Sequence, residues 1–135
     1  MRAYVSVSYQ MYKDLRAELK IIEAVLSEYN MESFVFVNRY QFGAGEEIQM
    51  MAQSMKDIDQ SSILIAETSD KAIGIGIEAG YARALNKPVI YMRNVNAKHS
   101  TTLSGISDYR IIYGDLSDMK AQLHEVISTC RSKLE

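Results

Sequence analysis

Apolar positions along this chain switch repeatedly between two spacings. Residues 4–8 form a short β-rich run and read as a first strand. Leu15, Leu19, Ile22, Leu26 and Tyr29 then recur at steps of four, three, four and three, which predicts an amphipathic helix over residues 12–29. Residues 34–37 are apolar throughout and predict a second strand buried on both faces. A loop over residues 39–45 carries two glycines. Glu46 and Glu47 open a second helix, where acidic groups suit the positive end of the dipole, and Ile48, Met51, Met55 and Ile58 form its apolar stripe. A third strand is expected at 62–66, a third helix entered through Gly74 and Gly76 and ending near 86, and a fourth strand at 88–92. Residues 94–108 are polar and read as a long loop. A fifth strand follows at 109–113, and Asp115 caps a last helix with Leu116, Met119, Leu123, Val126 and Cys130 on its apolar side.

Strands alternating with helices imply a parallel sheet covered on both faces. Five strands in a chain of 135 residues predict a flavodoxin-like, doubly wound α/β fold of strand order 2-1-3-4-5, forming a single domain over residues 1–135. Such sheets bind ligands at the carboxyl ends of their strands, beside the switch in strand order. On this edge stand residues 6–10 and residues 67–78.

Composition narrows the function classes. With 15 basic and 17 acidic residues the formal charge is −2, without the basic excess of a nucleic-acid or polybasic membrane contact. No apolar run approaches the roughly 20 residues that cross a bilayer, and the first residues lack the unbroken apolar core of a signal peptide. The one cysteine, Cys130, cannot form an internal disulfide, so an intracellular, cytoplasmic protein is expected. His99 reads as a solvent-exposed loop histidine or as an acid or ligand, His124 has no acidic or cysteine partner at metal spacing, and no metal site is expected.

Candidate chemistry concentrates between the third strand and third helix. Gly74 and Gly76 let backbone N–H groups approach a ligand, and the helix N-terminus favours an anion. The same glycines also suit tight packing of helix on sheet. Glu78 falls in the first helical turn, where a carboxylate serves either as a dipole partner or as a reacting group. The dinucleotide fingerprint and the P-loop are both absent, so no cofactor is expected.

The segment from Asp57 to Ile90, with Glu78-Ala79-Gly80-Tyr81-Ala82 and then Asn86-Lys87-Pro88-Val89-Ile90, resembles the nucleoside 2-deoxyribosyltransferase superfamily, which includes the 2′-deoxynucleoside 5′-phosphate N-hydrolases. The resemblance extends more weakly from Tyr4 to the final helix. It implies that Glu78 is a nucleophile attacking the anomeric carbon of a nucleoside or nucleotide, forming a glycosyl ester that water or a second base resolves. It also places Tyr4 and Ser8 near the reaction, with Gln10 beside them, and Glu67 and Asp70 on the same edge. Ser54 stands where many relatives carry an aspartate, and Asp57 is either its stand-in or a solvated helix acid. Gln10 and Ala72 replace a basic residue and a serine of the phosphate-hydrolysing branch, which weakens the expectation of a monophosphate substrate. Ser104, with Ser100 or Thr102 as alternatives, matches a serine that in the nucleotide hydrolases reaches the phosphate from a neighbouring subunit, unless this stretch is simply a solvated loop. Assembly as a dimer or larger is implied, and Met50, Met51 and Met55 suit its interface. The rival expectation is a nucleotide-binding sensor that keeps the fold without turnover, favoured by Ser54 and Ala72. A receiver domain lacks support because residues 6–10 carry no paired acids, and a flavodoxin lacks its hydroxyl-rich phosphate loop there.

Overall fold

The computed structural model describes residues 1–134. The elements run β1 (Arg2–Ser6), α1 (Arg16–Glu28), β2 (Glu32–Val35), α2 (Phe36–Arg39), α3 (Glu47–Asp59), β3 (Ile63–Glu67), α4 (Ile73–Ala84), β4 (Val89–Asn94), α5 (Thr101–Ile106), β5 (Tyr109–Tyr113) and α6 (Leu116–Leu134). The five strands form one sheet of order β2-β1-β3-β4-β5, with every pairing parallel. This is the doubly wound order expected from the alternation of spacings.

Strand residues point alternately to the two faces, and each face has its own helices. On one side Ala3, Val5, Ile63, Ile65, Ile90, Met92 and Ile111 pack against Ile22, Val25 and Leu26 of α1 and Met119, Leu123 and Ile127 of α6. On the other, Tyr4, Leu64, Ala66, Val89 and Tyr91 pack against Ile58 of α3, Ile75, Ala79 and Ala82 of α4, and Leu103 of α5. Asp115 caps α6, its side chain accepting from Asp118 N at 2.8 Å. After α1 and α4, Asn30 and Asn86 adopt φ of 56° and 60°, the left-handed conformation that turns a chain out of a helix. Met31 N and Lys87 N then reach back to Leu26 O and Ala82 O, each at 3.0 Å.

Four expectations need correction. The second strand covers Glu32–Val35 and lies at the sheet edge, paired only with β1, so of its residues only Phe34 is fully buried. The apolar run continues into α2, where Phe36 and Val37 are half-buried. In α3 the buried residues are Ser54, Asp57 and Ile58, whereas Ile48 is 83% exposed and Met51 and Met55 are half-buried. The polar stretch 94–108 contains α5, capped by Ser100, whose side chain accepts from Leu103 N. Finally, α4 begins at Ile73, so Gly74 and Gly76 lie inside its first turns and Glu78 lies beyond the first turn.

Cys130 is buried, and burial pushes its thiol up to about 11, so it stays protonated and unreactive at neutral pH. Among the described residues no helix is long and apolar enough to cross a membrane.

Candidate active site

Glu78 reaches from α4 toward α3 and β1, and three hydroxyls close on its carboxylate. Ser6 Oγ donates to Oε1 at 2.6 Å, Ser54 Oγ donates to Oε2 at 2.5 Å, and the Tyr4 phenol also donates to Oε2. Tyr4 and Ser54 lie 3.1 Å apart, oxygen to oxygen. The sheet explains half of this cradle. Tyr4 and Ser6 are two apart on β1 and therefore share a face, side by side beneath α4. The other half comes from α3, whose buried residues include Ser54.

Residues of the segments 78–82 and 86–90 hold the two helices in this relation. The Tyr81 hydroxyl, one turn beyond Glu78, donates to Asp59 Oδ1 at 2.7 Å. Lys87 Nζ donates to Asp59 O at 2.8 Å and to Ser61 O, taking up carbonyls where α3 ends. The Gly80-Tyr81 and Lys87-Pro88 segments thus fix α3 against α4, so that Ser54 meets Glu78.

Burial, reinforced by the neighbouring Glu78 charge, drives the Tyr4 phenol far above its ordinary pKa. Tyr4 is fully buried and keeps its proton at any physiological pH. It is therefore a fixed donor to the carboxylate and not a base.

Asp57 is 4% exposed, so it is not a solvated helix acid. Its Oδ2 accepts from Gln53 Nε2 at 3.2 Å, and Gln53 also donates to the Tyr40 hydroxyl at 3.1 Å. Burial and the nearby Asp57 carboxylate raise the Tyr40 phenol. Asp57 thus faces Gln53 and Tyr40 rather than Glu78. Ser8 Oγ donates to Asp70 Oδ2 at 2.7 Å, joining the loops that follow β1 and β3, and Gln10 is exposed on the first of them. Gly74 lies one turn before Glu78 on the same flank of α4, and Gly76 lines a 460 Å³ cavity together with Thr68, Ala72, Ile75, Ser100 and Leu103. A Cβ at either glycine would meet nothing within 4 Å, so neither is required by tight packing on the sheet. None of Tyr4, Ser6, Ser54 and Glu78 lines that cavity. Ser104 stands on α5, where its hydroxyl accepts from Arg110 Nε at 2.8 Å.

Glu67 is not part of the Glu78 cradle. It alternates with Ala66 and points to the α1 and α6 face, fully buried. Its carboxylate accepts from Ser69 N and Tyr113 Oη, both at 2.5 Å, while Ser69 and Tyr113 lie 3.2 Å apart. Burial raises its pKa, these hydrogen bonds oppose the rise, and the Glu18 charge adds to it. A raised carboxyl pKa means that the folded state holds a proton the unfolded chain has already released. This group therefore contributes stability that is lost as pH rises from the ordinary glutamate range through its raised pKa. Glu67→Gln should flatten that slope. Its amide can still accept from Ser69 N and donate to Tyr113 Oη, whose proton can turn to Ser69. Thermal melts of both proteins from pH 4 to 8, roughly the span of interest, should show the variant gaining on wild type as pH rises. Parallel curves would show that Glu67 does not titrate in this range.

Ser6 and Ser54 are the contacts that the sequence reading does not supply. The two-residue spacing of Ser6 from Tyr4 is the signal that could have found the first. Ser54 stands out in the sequence only as the replacement for an aspartate.

A flavodoxin-like sheet, with a glutamate of the helix after its central strand held by three hydroxyls, defines a class of small α/β proteins with an oriented carboxylate at the switch edge. The nucleoside 2-deoxyribosyltransferase model matches residues 4–131, and the chain belongs to that family. A 5-hydroxymethyl-dUMP N-hydrolase from Branchiostoma floridae is 29% identical over 51 residues, and the match spans 38% of this chain and about half, 49%, of that relative. Among solved structures, a Clostridium botulinum CMP N-glycosidase superposes with a TM-score of 0.62 at 18% identity, covering 96% of this chain and 99% of that one. A 2-deoxyribosyltransferase from Bacillus psychrosaccharolyticus gives a TM-score of 0.67 at 17% identity, covering 91% and 96%.

Proposed function

We propose that this protein cleaves or transfers the N-glycosidic bond of a nucleoside or nucleotide, with Glu78 as the nucleophile. The observation that carries the proposal is the orientation of its carboxylate by Tyr4, Ser6 and Ser54 at the ligand-binding edge of the sheet. The similar proteins named above are an N-hydrolase, an N-glycosidase and a 2-deoxyribosyltransferase, which supports the same reading. A non-catalytic sensor is disfavoured because Ser54 does not leave the site vacant: its hydroxyl holds the carboxylate.

The cradle also distinguishes the two oxygens. Oε2 accepts two hydrogen bonds and Oε1 accepts one, so Oε1 keeps a lone pair for attack. Oε1 bonds to the anomeric carbon as the carbon–nitrogen bond breaks and the base departs with the electron pair. The carboxylate offsets the positive charge developing on the sugar. Water or a second base then attacks the same carbon and Oε1 leaves, restoring the carboxylate. Substrate binding near Ser8, Gln10, Asp70 and Gly74 fits their place around the mouth of this edge. A role for Glu67 does not, and a role for Ser104 depends on a second copy of the chain presenting it.

The decisive measurement is mass spectrometry of free base released from deoxynucleosides, ribonucleosides and their monophosphates, with and without an isotopically labelled acceptor base. Release without acceptor shows hydrolysis, and label appearing in nucleoside shows transfer. No release from any substrate under either condition would overturn the proposal.

A further inference from the structure

Glu67 takes no direct part in the chemistry proposed for Glu78, yet it is a fully buried carboxylate. Such a group costs stability unless partners take up its oxygens. Both oxygens have partners, and each bond leads to the carboxyl edge of the sheet. Oε1 accepts from Ser69 N and Oε2 from the Tyr113 hydroxyl. Ser69 Oγ, beside that hydroxyl, also accepts from Asn94 N at 3.0 Å. Glu67 is the last residue of β3, Asn94 the last of β4 and Tyr113 the last of β5. One carboxylate thus ties together the ends of three neighbouring strands.

The tie reaches the mouth of the site through a single residue. Asp70 follows Ser69, and its Oδ2 accepts from Ser8 Oγ in the loop after β1. Thr68, on the other side of Ser69, donates from both its N and its Oγ1 to Met92 O, at 2.8 and 3.0 Å. The loop that leads into α4 is therefore pinned at three successive residues. Glu78 has separate supports in Tyr4, Ser6 and Ser54, and the two networks share no residue. Loosening the first leaves the nucleophile aimed.

We propose that Glu67 is a positioning residue, which touches no substrate and holds the loop after β3 so that Asp70 meets Ser8 and the mouth of the site is formed in advance of binding. Its kinetic consequence rests on the reading of Glu78 as the nucleophile, whereas the tie itself can be tested without turnover.

Three variants separate the tie from plain core packing. Glu67→Gln can keep both bonds, Glu67→Leu fills the space and loses both, and Tyr113→Phe loses only the bond to Oε2. Hydrogen exchange followed by NMR should show the Ser69 amide exchanging about tenfold faster or more in Glu67→Leu, and close to wild type in Glu67→Gln, while amides of β1 report any change in global stability. Asn94 should follow Ser69 in both Glu67→Leu and Tyr113→Phe. In assays of base release, Tyr113→Phe should raise KM about fivefold, the worth of one neutral hydrogen bond, and Glu67→Leu more. In both, kcat should stay within about twofold of wild type, and Glu67→Gln should restore KM. Circular dichroism checks each fold, and Tyr113→Phe carries both readouts if Glu67→Leu does not fold. Exchange at Ser69 and Asn94 that neither variant alters would overturn the tie. Faster exchange with KM unmoved, or with the loss falling on kcat instead, would overturn the positioning role and leave Glu67 a structural group. Faster exchange in a protein whose wild type releases no base would support the tie and discard the reaction.

Discussion

Glu78→Gln is expected to lower base release by roughly four orders of magnitude or more, because loss of a covalent nucleophile removes the pathway and not merely a contact. The substitution keeps the shape of the side chain, so the comparison isolates charge and nucleophilicity. Three hydroxyls now donate to the carboxylate. An amide accepts on one oxygen only, so the hydroxyl facing its nitrogen must turn and accept instead. A serine can do this by rotating its proton, at small cost. The variant should therefore melt within a few degrees of wild type. Intact-mass spectrometry of wild type quenched during turnover should reveal protein carrying one glycosyl group, and peptide mapping should place it on the segment that contains Glu78. The Glu78→Gln variant is informative without any trapped adduct: retention of more than about a hundredth of wild-type turnover is incompatible with the nucleophilic role.

The sheet is legible in the sequence because the strand and helix periods differ and alternate in register with the turns. Five parallel strands with alternating connections leave few topologies, and the observed order is among them. What is not legible follows from features that periodicity does not encode. Phe34 to Val37 reads identically for a buried central strand and for an edge strand running into a short helix. Only the pairing with β1 alone decides between them. The six residues of α5 are too few for a helical stripe, and their hydroxyls resemble a loop. The orientation of α3 escapes the pattern because apolar periodicity turns Met51 and Met55 inward, whereas Ser54 and Asp57 are buried. A helix can bury polar side chains when partners await them, and the partners of Ser54 lie on β1 and α4, out of reach of a local pattern. Glu78 itself is identified through its motif, and the structure supplies what the motif does for it: Tyr81 and Lys87 fasten α3 alongside α4.

Tyr4→Phe is expected to slow the second half of the reaction more than the first, by about a hundredfold, and so to accumulate the glycosyl ester. The charge on the carboxylate falls as Oε1 bonds to the sugar and returns as that bond breaks. Donors to Oε2 therefore hold the free carboxylate more strongly than the ester. They favour its departure as a leaving group, much as donors in an oxyanion hole favour the charged state they face, where one donor contributes about 10²–10³ in rate. The Tyr4 hydroxyl is the donor best placed to do this. Burial and the adjacent Glu78 keep it protonated, and its ring is held by Phe34 and Phe36, so it cannot swing away. Ser54→Ala removes the other donor to Oε2 and should act in the same direction. Ser6→Ala removes the donor to the attacking oxygen and should instead impair alignment in the first step. Rapid-quench kinetics with Tyr4→Phe should show a burst of base approaching one equivalent of enzyme, followed by a slow steady state, with adduct visible by intact mass. A uniform loss in both phases would assign Tyr4 to positioning alone. In that case the hydroxyl cradle serves to aim Glu78 and not to stabilise it as it leaves.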